Sequence, residues 1–316
     1  MKPVASIIIC TYNRSNDLKN VLGGFLKQNI DKNINYEIIV SDNNSSDDTR
    51  SLVLSAYADL FAGRLKYVFE AQQGKSYALN SAIQASQGGI ICFTDDDVIP
   101  DEYWLSKIIE CFQQYGCDGV GGRVLPVFPS GTDQWIKENA SKLSGSVVIY
   151  DYGDKTFLLT GSTFPFIGAN FSFKREVFEQ LGFFRTDLAG CAGAVGEDTE
   201  FVNRLLIQGK SLYYCGAALI WHPFDRERLS FKHIARWNIS FGKFAARMES
   251  ERGTQFIYYF GIPRYLIRGI VEDFFKLVSL SWTKPLFFIA WRNLFCKVGM
   301  IQEYYKYSRE RATRHA

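Results

Sequence analysis

The run GGIICFTDDDV, residues 88–98, joins a glycine pair, a short apolar stretch and three consecutive aspartates, Asp95, Asp96 and Asp97. An uninterrupted apolar stretch bounded by turn formers reads as a strand covered on both faces. The aspartates then stand at its carboxyl end. The same grammar recurs on either side. VASIIICT (4–11) runs into Tyr12-Asn13-Arg14-Ser15-Asn16, Glu37 to Ser41 runs into Asp42-Asn43-Asn44, and Leu65 to Phe69 reads as another strand. Between them, apolar residues recur at helical spacing. Leu18, Val21, Leu22, Phe25 and Leu26 mark one helix, with Ser15 or Asn16 as its cap. Ser46 and Asp47 can cap a second. Ala78, Leu79, Ala82 and Ile83 mark a third, closed by Gly88-Gly89. Trp104, Leu105, Ile108, Ile109 and Phe112 mark a fourth, opened by Pro100. Four strand–helix alternations predict a doubly wound α/β sheet, mostly parallel, with right-handed crossovers.

The pattern loosens over 128–165, which predicts an excursion from the sheet. Order returns with Phe166–Phe173 and a helix near Arg175–Leu181. A further helix starts at Glu197-Asp198 with Phe201, Leu205 and Leu206 inward, and a last strand from Leu212 to Trp221 ends at His222. The expected organisation is a catalytic domain over 1–225 and a helical extension over 226–316.

With 316 residues, 47% of them hydrophobic, the chain has ample material for a core and is not disordered. The net charge of +3 gives no sign of a nucleic-acid binder. That balance conceals a division: residues 223–316 hold 17 Lys and Arg against 8 Asp and Glu. Seven cysteines, with no CxxC pair, read as buried free thiols. These thiols and an N-terminus without a secretory apolar segment fit the cytoplasm.

Ligands of open α/β sheets bind at the carboxyl ends of the strands. Neighbouring strands lie about 4.8 Å apart, so Thr11-Tyr12-Asn13, Asp42-Asn43 and Asp95-Asp96-Asp97 should converge. Three adjacent aspartates suit a divalent cation, Mn²⁺ or Mg²⁺, or else form a solvated acidic turn. Glu197 or Asp198 at a helix start can serve as a general base or be an ordinary first-turn acid. His222 can ligate metal or touch phosphate, and Lys75 can neutralise phosphate.

Taken in order, VASIIICTYNR (4–14), EIIVSDNNSSDDT (37–49), GKSYALNSAIQASQGGIICFTDDDV (74–98), GANFSFKR (168–175) and GEDTEFVNRL (196–205) resemble family 2 glycosyltransferases of the glycosyltransferase A fold. The resemblance implies inverting transfer from a nucleotide-diphosphate sugar, UDP-sugars first. It implies that Thr11, Tyr12, Asn13, Arg14, Asp42, Asn43, Lys75, Asp95 and Asp96 meet the nucleotide sugar. It makes Asp97 the direct metal ligand, joined by Asp95 and His222. Asp198 becomes the base, with Glu197 beside it. Ala78-Leu79-Asn80 departs from the Ala-Arg-Asn of many relatives, and Lys75 can supply the missing charge. His233-Ile234-Ala235-Arg236-Trp237 is similar to the QxxRW signature of processive members, with His for Gln. Lacking spanning segments, the chain is expected to make single additions.

Residues 256–307 contain fifteen Phe, Tyr or Trp, interrupted by Arg264, Arg268, Arg292 and Lys297. No stretch there reaches the length of a spanning helix. Basic aromatic helices of this kind lie on the cytoplasmic face of a membrane, near a sugar or lipid-linked acceptor, or else pack inward or form a homodimer. A sugar-nucleotide pyrophosphorylase would want a glycine-rich loop after the first strand, which is missing. A degenerate scaffold on the same fold would have shed its acids, which are present.

Overall fold

The computed structural model describes residues 2–143, 147–160, 166–188, 196–279 and 284–314. The chain divides into two compact units. The first spans Met1–Val127, Val148–Gly190 and Glu197–Pro223, and the second includes Phe128–Val147 and Phe224–Ala316.

The first unit opens with β1 (Ala5–Thr11), α1 (Ser15–Phe25), β2 (Tyr36–Asp42), a single helical turn α2 (Thr49–Ser51) and β3 (Leu65–Phe69). It continues through α3 (Lys75–Ala85), β4 (Ile90–Asp95), β5 (Ile99–Pro100), α4 (Trp104–Tyr115) and β6 (Gly119–Val127). After α5 (Gln134–Glu138), which belongs to the second unit, come β7 (Thr156–Leu158), β8 (Asn170–Lys174), α6 (Arg175–Leu181), α7 (Glu197–Ile207) and β9 (Leu212–Pro223). One nine-stranded sheet runs β3-β2-β1-β4-β8-β6-β9-β5, with β7 paired to β9. β1, β2, β3 and β4 are mutually parallel where they pair, and β6 is parallel to β9. β8 lies antiparallel between β4 and β6.

Ile7, Ile8 and Ile9 of β1 are fully buried, as a strand covered on both faces requires. Leu18, Val21, Leu22 and Phe25 of α1 and Trp104, Leu105, Ile108, Ile109 and Phe112 of α4 join the same core, so the helical spacing located the inward faces.

Local starts differ from expectation. Neither Ser15 nor Asn16 caps α1; the Ser15 amide instead donates to Asp47 Oδ2 at 2.9 Å. Asp47 also accepts from Thr49, and the chain there makes only the turn α2 before a wider five-residue π turn, Leu52–Ala56. Pro100 does not open α4. It pairs with Ile220 in the edge strand β5, where its lack of an N–H is tolerated. Asp101 then turns the chain, accepting from the Tyr103 amide at 2.9 Å, and α4 begins at Trp104.

In the second unit α5 is followed by α8 (Phe231–Glu251), a hairpin of β10 (Tyr258–Tyr259) and β11 (Ile262–Pro263), α9 (Arg264–Ser279) and α10 (Lys284–Arg314). Ala246, Leu266, Met300 and Tyr304 form its buried cluster. Trp135 of α5 meets Phe288 of α10 edge to face, with ring centres 5.9 Å apart. His233, Arg236 and Trp237 lie on α8, where Trp237 stacks on Phe241. No described helix is long and apolar enough to cross a membrane. The six cysteines among the described residues are free, four of them buried; Cys191 lies outside the described residues.

Candidate active site

The strand order reverses at β1, whose neighbours are β2 on one side and β4 on the other. The register aligns the strand ends: Thr11 pairs with Asp42, and Cys10 pairs with Asp95. The polar clusters therefore meet at one edge, at the switch point where such sheets bind ligands.

Beyond Asp95 the chain turns and immediately forms β5, whose Ile99 pairs with Trp221 of β9. That two-residue pairing carries His222, the next residue, to the aspartates. His222 Nε2 lies 3.4 Å from Asp97 Oδ1, and His222 is 1% exposed. Its Nδ1 lies 3.0 Å from the Pro223 carbonyl oxygen. A carbonyl only accepts, so Nδ1 carries a proton, and in that tautomer of the neutral ring Nε2 would turn a lone pair toward the carboxylate. Two acceptors facing each other call for a cation or a proton between them. Donor atoms of Asp95, Asp97 and His222 all lie within 4.8 Å of one another. Two carboxylates and an imidazole make a donor set that suits Mn²⁺ and accepts Mg²⁺.

Arg14 closes the other side. Its Nη1 donates to Asp96 Oδ1 at 3.0 Å and to Asp97 Oδ2 at 2.7 Å. Burial pushes the Asp96 carboxyl up to about 6, against the pull of Arg14 and with a further push from Asp97. Asp96 thus faces the arginine and stands outside the Asp95–Asp97–His222 group.

Lys75 is placed by a chain of local contacts. Asn43 Oδ1 accepts from the Gly74 amide at 2.8 Å, and Gly74 immediately precedes α3 with φ of 137°, a conformation that favours glycine. Lys75, the first residue of α3, reaches Asp95 Oδ1 at 2.7 Å and Glu197 Oε1 at 3.9 Å. The Lys75 side chain is 43% exposed, and the neighbouring Asp95, Glu197 and Asp198 outweigh its partial desolvation and raise its pKa.

Glu197 and Asp198 occupy the first turn of α7. Burial and then Asp198 push the Glu197 carboxyl up to about 7, with Lys75 opposing. Asp198 is held from two sides: its Oδ2 accepts from the Gly168 amide at 2.9 Å, and its Oδ1 from the Thr199 amide at 2.6 Å. A methyl group at Gly168 would sit 3.1 Å from Asp198 Oδ2, so the close approach depends on glycine.

Several of the expected contact residues also brace the loops of the site. Asn43 spends its amide on the Gly74 N–H and on the carbonyls of Glu70 and Gln72. Asn13, with φ of 52°, accepts from the Ser46 amide and donates its own amide to Ser45. Asn13 braces the loops after β1 and β2, and Asn43 those after β2 and β3. Asp42, 1% exposed, accepts from the Tyr67 hydroxyl at 2.6 Å and the Ser45 amide at 2.9 Å. Thr11 is buried, whereas Tyr12 is half exposed. Asn80 exchanges two hydrogen bonds with the Phe184 backbone, so it too is a brace.

Gly168 and Asn170 had no assigned role in the sequence. Buried Asn170 accepts from Trp104 Nε1 and donates to the carbonyls of Arg123 and Ala218, tying α4, β6 and β9 together. A glycine and a buried amide opening an apolar strand were the signal available.

This sheet, with its acids gathered at the switch point, is the arrangement of the glycosyltransferase A fold. The chain belongs to glycosyl transferase family 2, whose family model matches residues 6–182. It is 26% identical to glycosyltransferase AglE of Haloferax volcanii over 231 residues, covering 70% of this chain and 67% of that one. It is 28% identical to the GalNAc(5)-diNAcBac-PP-undecaprenol beta-1,3-glucosyltransferase of Campylobacter jejuni over 257 residues, covering 79% and 75%. Among solved structures, mannosyltransferase PcManGT from Pyrobaculum calidifontis, in complex with GDP-Man and Mn²⁺, matches with a TM-score of 0.57 at 18% identity. That match covers all of this chain and 76% of the mannosyltransferase.

Proposed function

We propose that this glycosyltransferase moves a sugar from a nucleotide-diphosphate donor, a UDP-sugar first, to an acceptor hydroxyl, inverting the anomeric carbon in a single addition. The observation that carries the reading is Lys75. It touches Asp95 of the metal-type cluster and approaches Glu197 of the acid pair, so both sets of groups share one site.

Asp198 takes the acceptor proton, and the Gly168 and Thr199 amides fix where its oxygens point. Lys75 and Arg14 meet the negative charge of the departing diphosphate. Tyr12 offers its exposed ring to the base, while Asp42, Asn43, Asn13 and Thr11 shape the wall behind it. Mn²⁺ or Mg²⁺, held by Asp95, Asp97 and His222, would supply Lewis-acid neutralisation of the diphosphate. Glu197, next to the base, borders the acceptor side.

The name of the Campylobacter relative specifies a glycan on an undecaprenyl diphosphate. With it, the basic and aromatic C-terminal helices support a sugar on a lipid carrier as acceptor, met by a peripheral enzyme on the cytoplasmic face of the membrane.

Nucleoside-diphosphate release from a panel of nucleotide sugars, with Mn²⁺ or with EDTA, tests the catalytic reading. The expected result is release that requires the metal and fails in Asp97→Asn. Undiminished release in EDTA would remove the metal from the proposal, and no release from any donor would remove the donor class.

A further inference from the structure

α9 carries two different faces. Leu266, Gly269 and Asp273 are buried on one, where Asp273 pairs with Lys297 of α10. On the other, Ile267, Val271, Phe274, Phe275 and Val278 are 39%, 49%, 57%, 66% and 63% exposed. Their spacing of i, i+4, i+7, i+8 and i+11 gathers them into a stripe roughly 100° wide. Five large apolar residues in one exposed stripe exceed the scattered singles normal on a soluble surface.

The surroundings of this stripe choose the occupant. Arg264 and Arg268 project at its edge, where long basic side chains reach past an apolar layer to charged groups. They line an open cavity of about 310 Å³ with Gln255, Phe256, Ile257 and Tyr265. Arg268 Nε donates to Glu272 Oε1 at 2.7 Å, and that pair is solvent-exposed, so a phosphate can compete for the guanidinium. Phe260, at the turn of the hairpin that leads into α9, is 97% exposed. An apolar stripe, flanking arginines and aromatic residues match the layers of a bilayer surface: acyl chains, phosphates and the interface between them.

We propose that this face of α9 docks on an anionic lipid bilayer, with the stripe at the headgroup–acyl boundary and Arg264 and Arg268 on lipid phosphate. The assignment rests on the peripheral-membrane reading above and narrows it to one helix and one ligand group.

Flotation of the full chain with vesicles of phosphatidylcholine alone, or with one-third phosphatidylglycerol, tests it. Wild type should float with the anionic vesicles. Val271→Ser/Phe275→Ser and Arg264→Glu/Arg268→Glu should each lower the bound fraction at least about tenfold, the second only on anionic vesicles. Ile207→Ser, at a residue 77% exposed on α7, should float like wild type. Circular dichroism should show every variant folded, since each altered side chain is exposed. If the stripe variant floats like wild type, α9 is not the docking face and the membrane reading survives. If wild type floats with neither vesicle, the membrane reading itself fails. A stripe variant that instead turns a dimer into a monomer in sedimentation, with no flotation by wild type, gives the face to a second copy and overturns the proposal.

Discussion

His222 Nε2 and Asp97 Oδ1 face each other across 3.4 Å, although β9 and the β4–β5 turn are more than a hundred residues apart in the chain. The Pro223 carbonyl fixes the ring so that a lone pair, not an N–H, points at the carboxylate when the ring is neutral. His222→Ala and Asp97→Asn should each weaken Mn²⁺ binding by more than about 100-fold, beyond the loss typical of an outer-sphere partner. Asp96→Asn should cost less, because Asp96 stands outside the Asp95–Asp97–His222 group. The free-Mn²⁺ signal in electron paramagnetic resonance measures this directly. Unchanged affinity in His222→Ala would leave the imidazole out of the site.

Removing the base should act on turnover and spare the donor. Asp198→Asn keeps the shape and loses the proton acceptor, so kcat should fall about 10²- to 10⁴-fold with donor KM nearly constant. Gly168→Ala should give a smaller loss of the same kind, because its methyl group would press on Asp198 Oδ2. Steady-state kinetics against donor and acceptor separate the cases. Equal losses in kcat and donor binding would contradict the role of Asp198.

Glu197 should leave a mark on stability. Its carboxyl stands at about 7 in the fold, against an ordinary 4.5, because burial and Asp198 disfavour its charge. Between those values the folded chain keeps a proton that the unfolded chain has lost, so stability falls as pH rises through this window and levels above it. Glu197→Gln never incurs that cost. In EDTA, its melting temperature should exceed that of wild type at pH 8, and the gap should close below pH 4.5. A gap independent of pH would assign the effect to packing instead.

Much of the frame was legible because burial on both faces leaves unbroken apolar runs, as in Ile7–Ile9 and Ile90–Phe93. The acids at the ends of those runs were legible for the same reason, since a polar cluster after a buried strand has one place to go. The direction of β8 was not, because an apolar strand reads alike in either direction. β5 has two residues, too few for any period, yet it delivers His222. That Asn13 and Asn43 also brace loops was not legible, because their partners lie some thirty residues away. Gly168 is similar: its need for a bare Cα comes from Asp198, which local sequence does not show.

Arg14 supplies positive charge where the proposed metal would also sit. Its guanidinium bonds both Asp96 and Asp97, so without a cation Arg14→Ala leaves two neighbouring carboxyl groups with less compensation. Leaving buried acids uncompensated destabilises a fold strongly. A bound Mn²⁺ restores part of that compensation, and a ligand that binds only the folded state raises its stability in proportion to its affinity. Asp97 also becomes freer to ligate once its bond to Arg14 is gone. The Mn²⁺-induced rise in melting temperature should therefore be larger in Arg14→Ala than in wild type, while the metal-free variant melts lower. Differential scanning fluorimetry with graded Mn²⁺ measures both. Equal metal-induced shifts in the two proteins would mean that Arg14 and the cation do not compete for the same charge. In that case Arg14 would serve Asp96 alone, and the donor diphosphate would meet it as an independent contact.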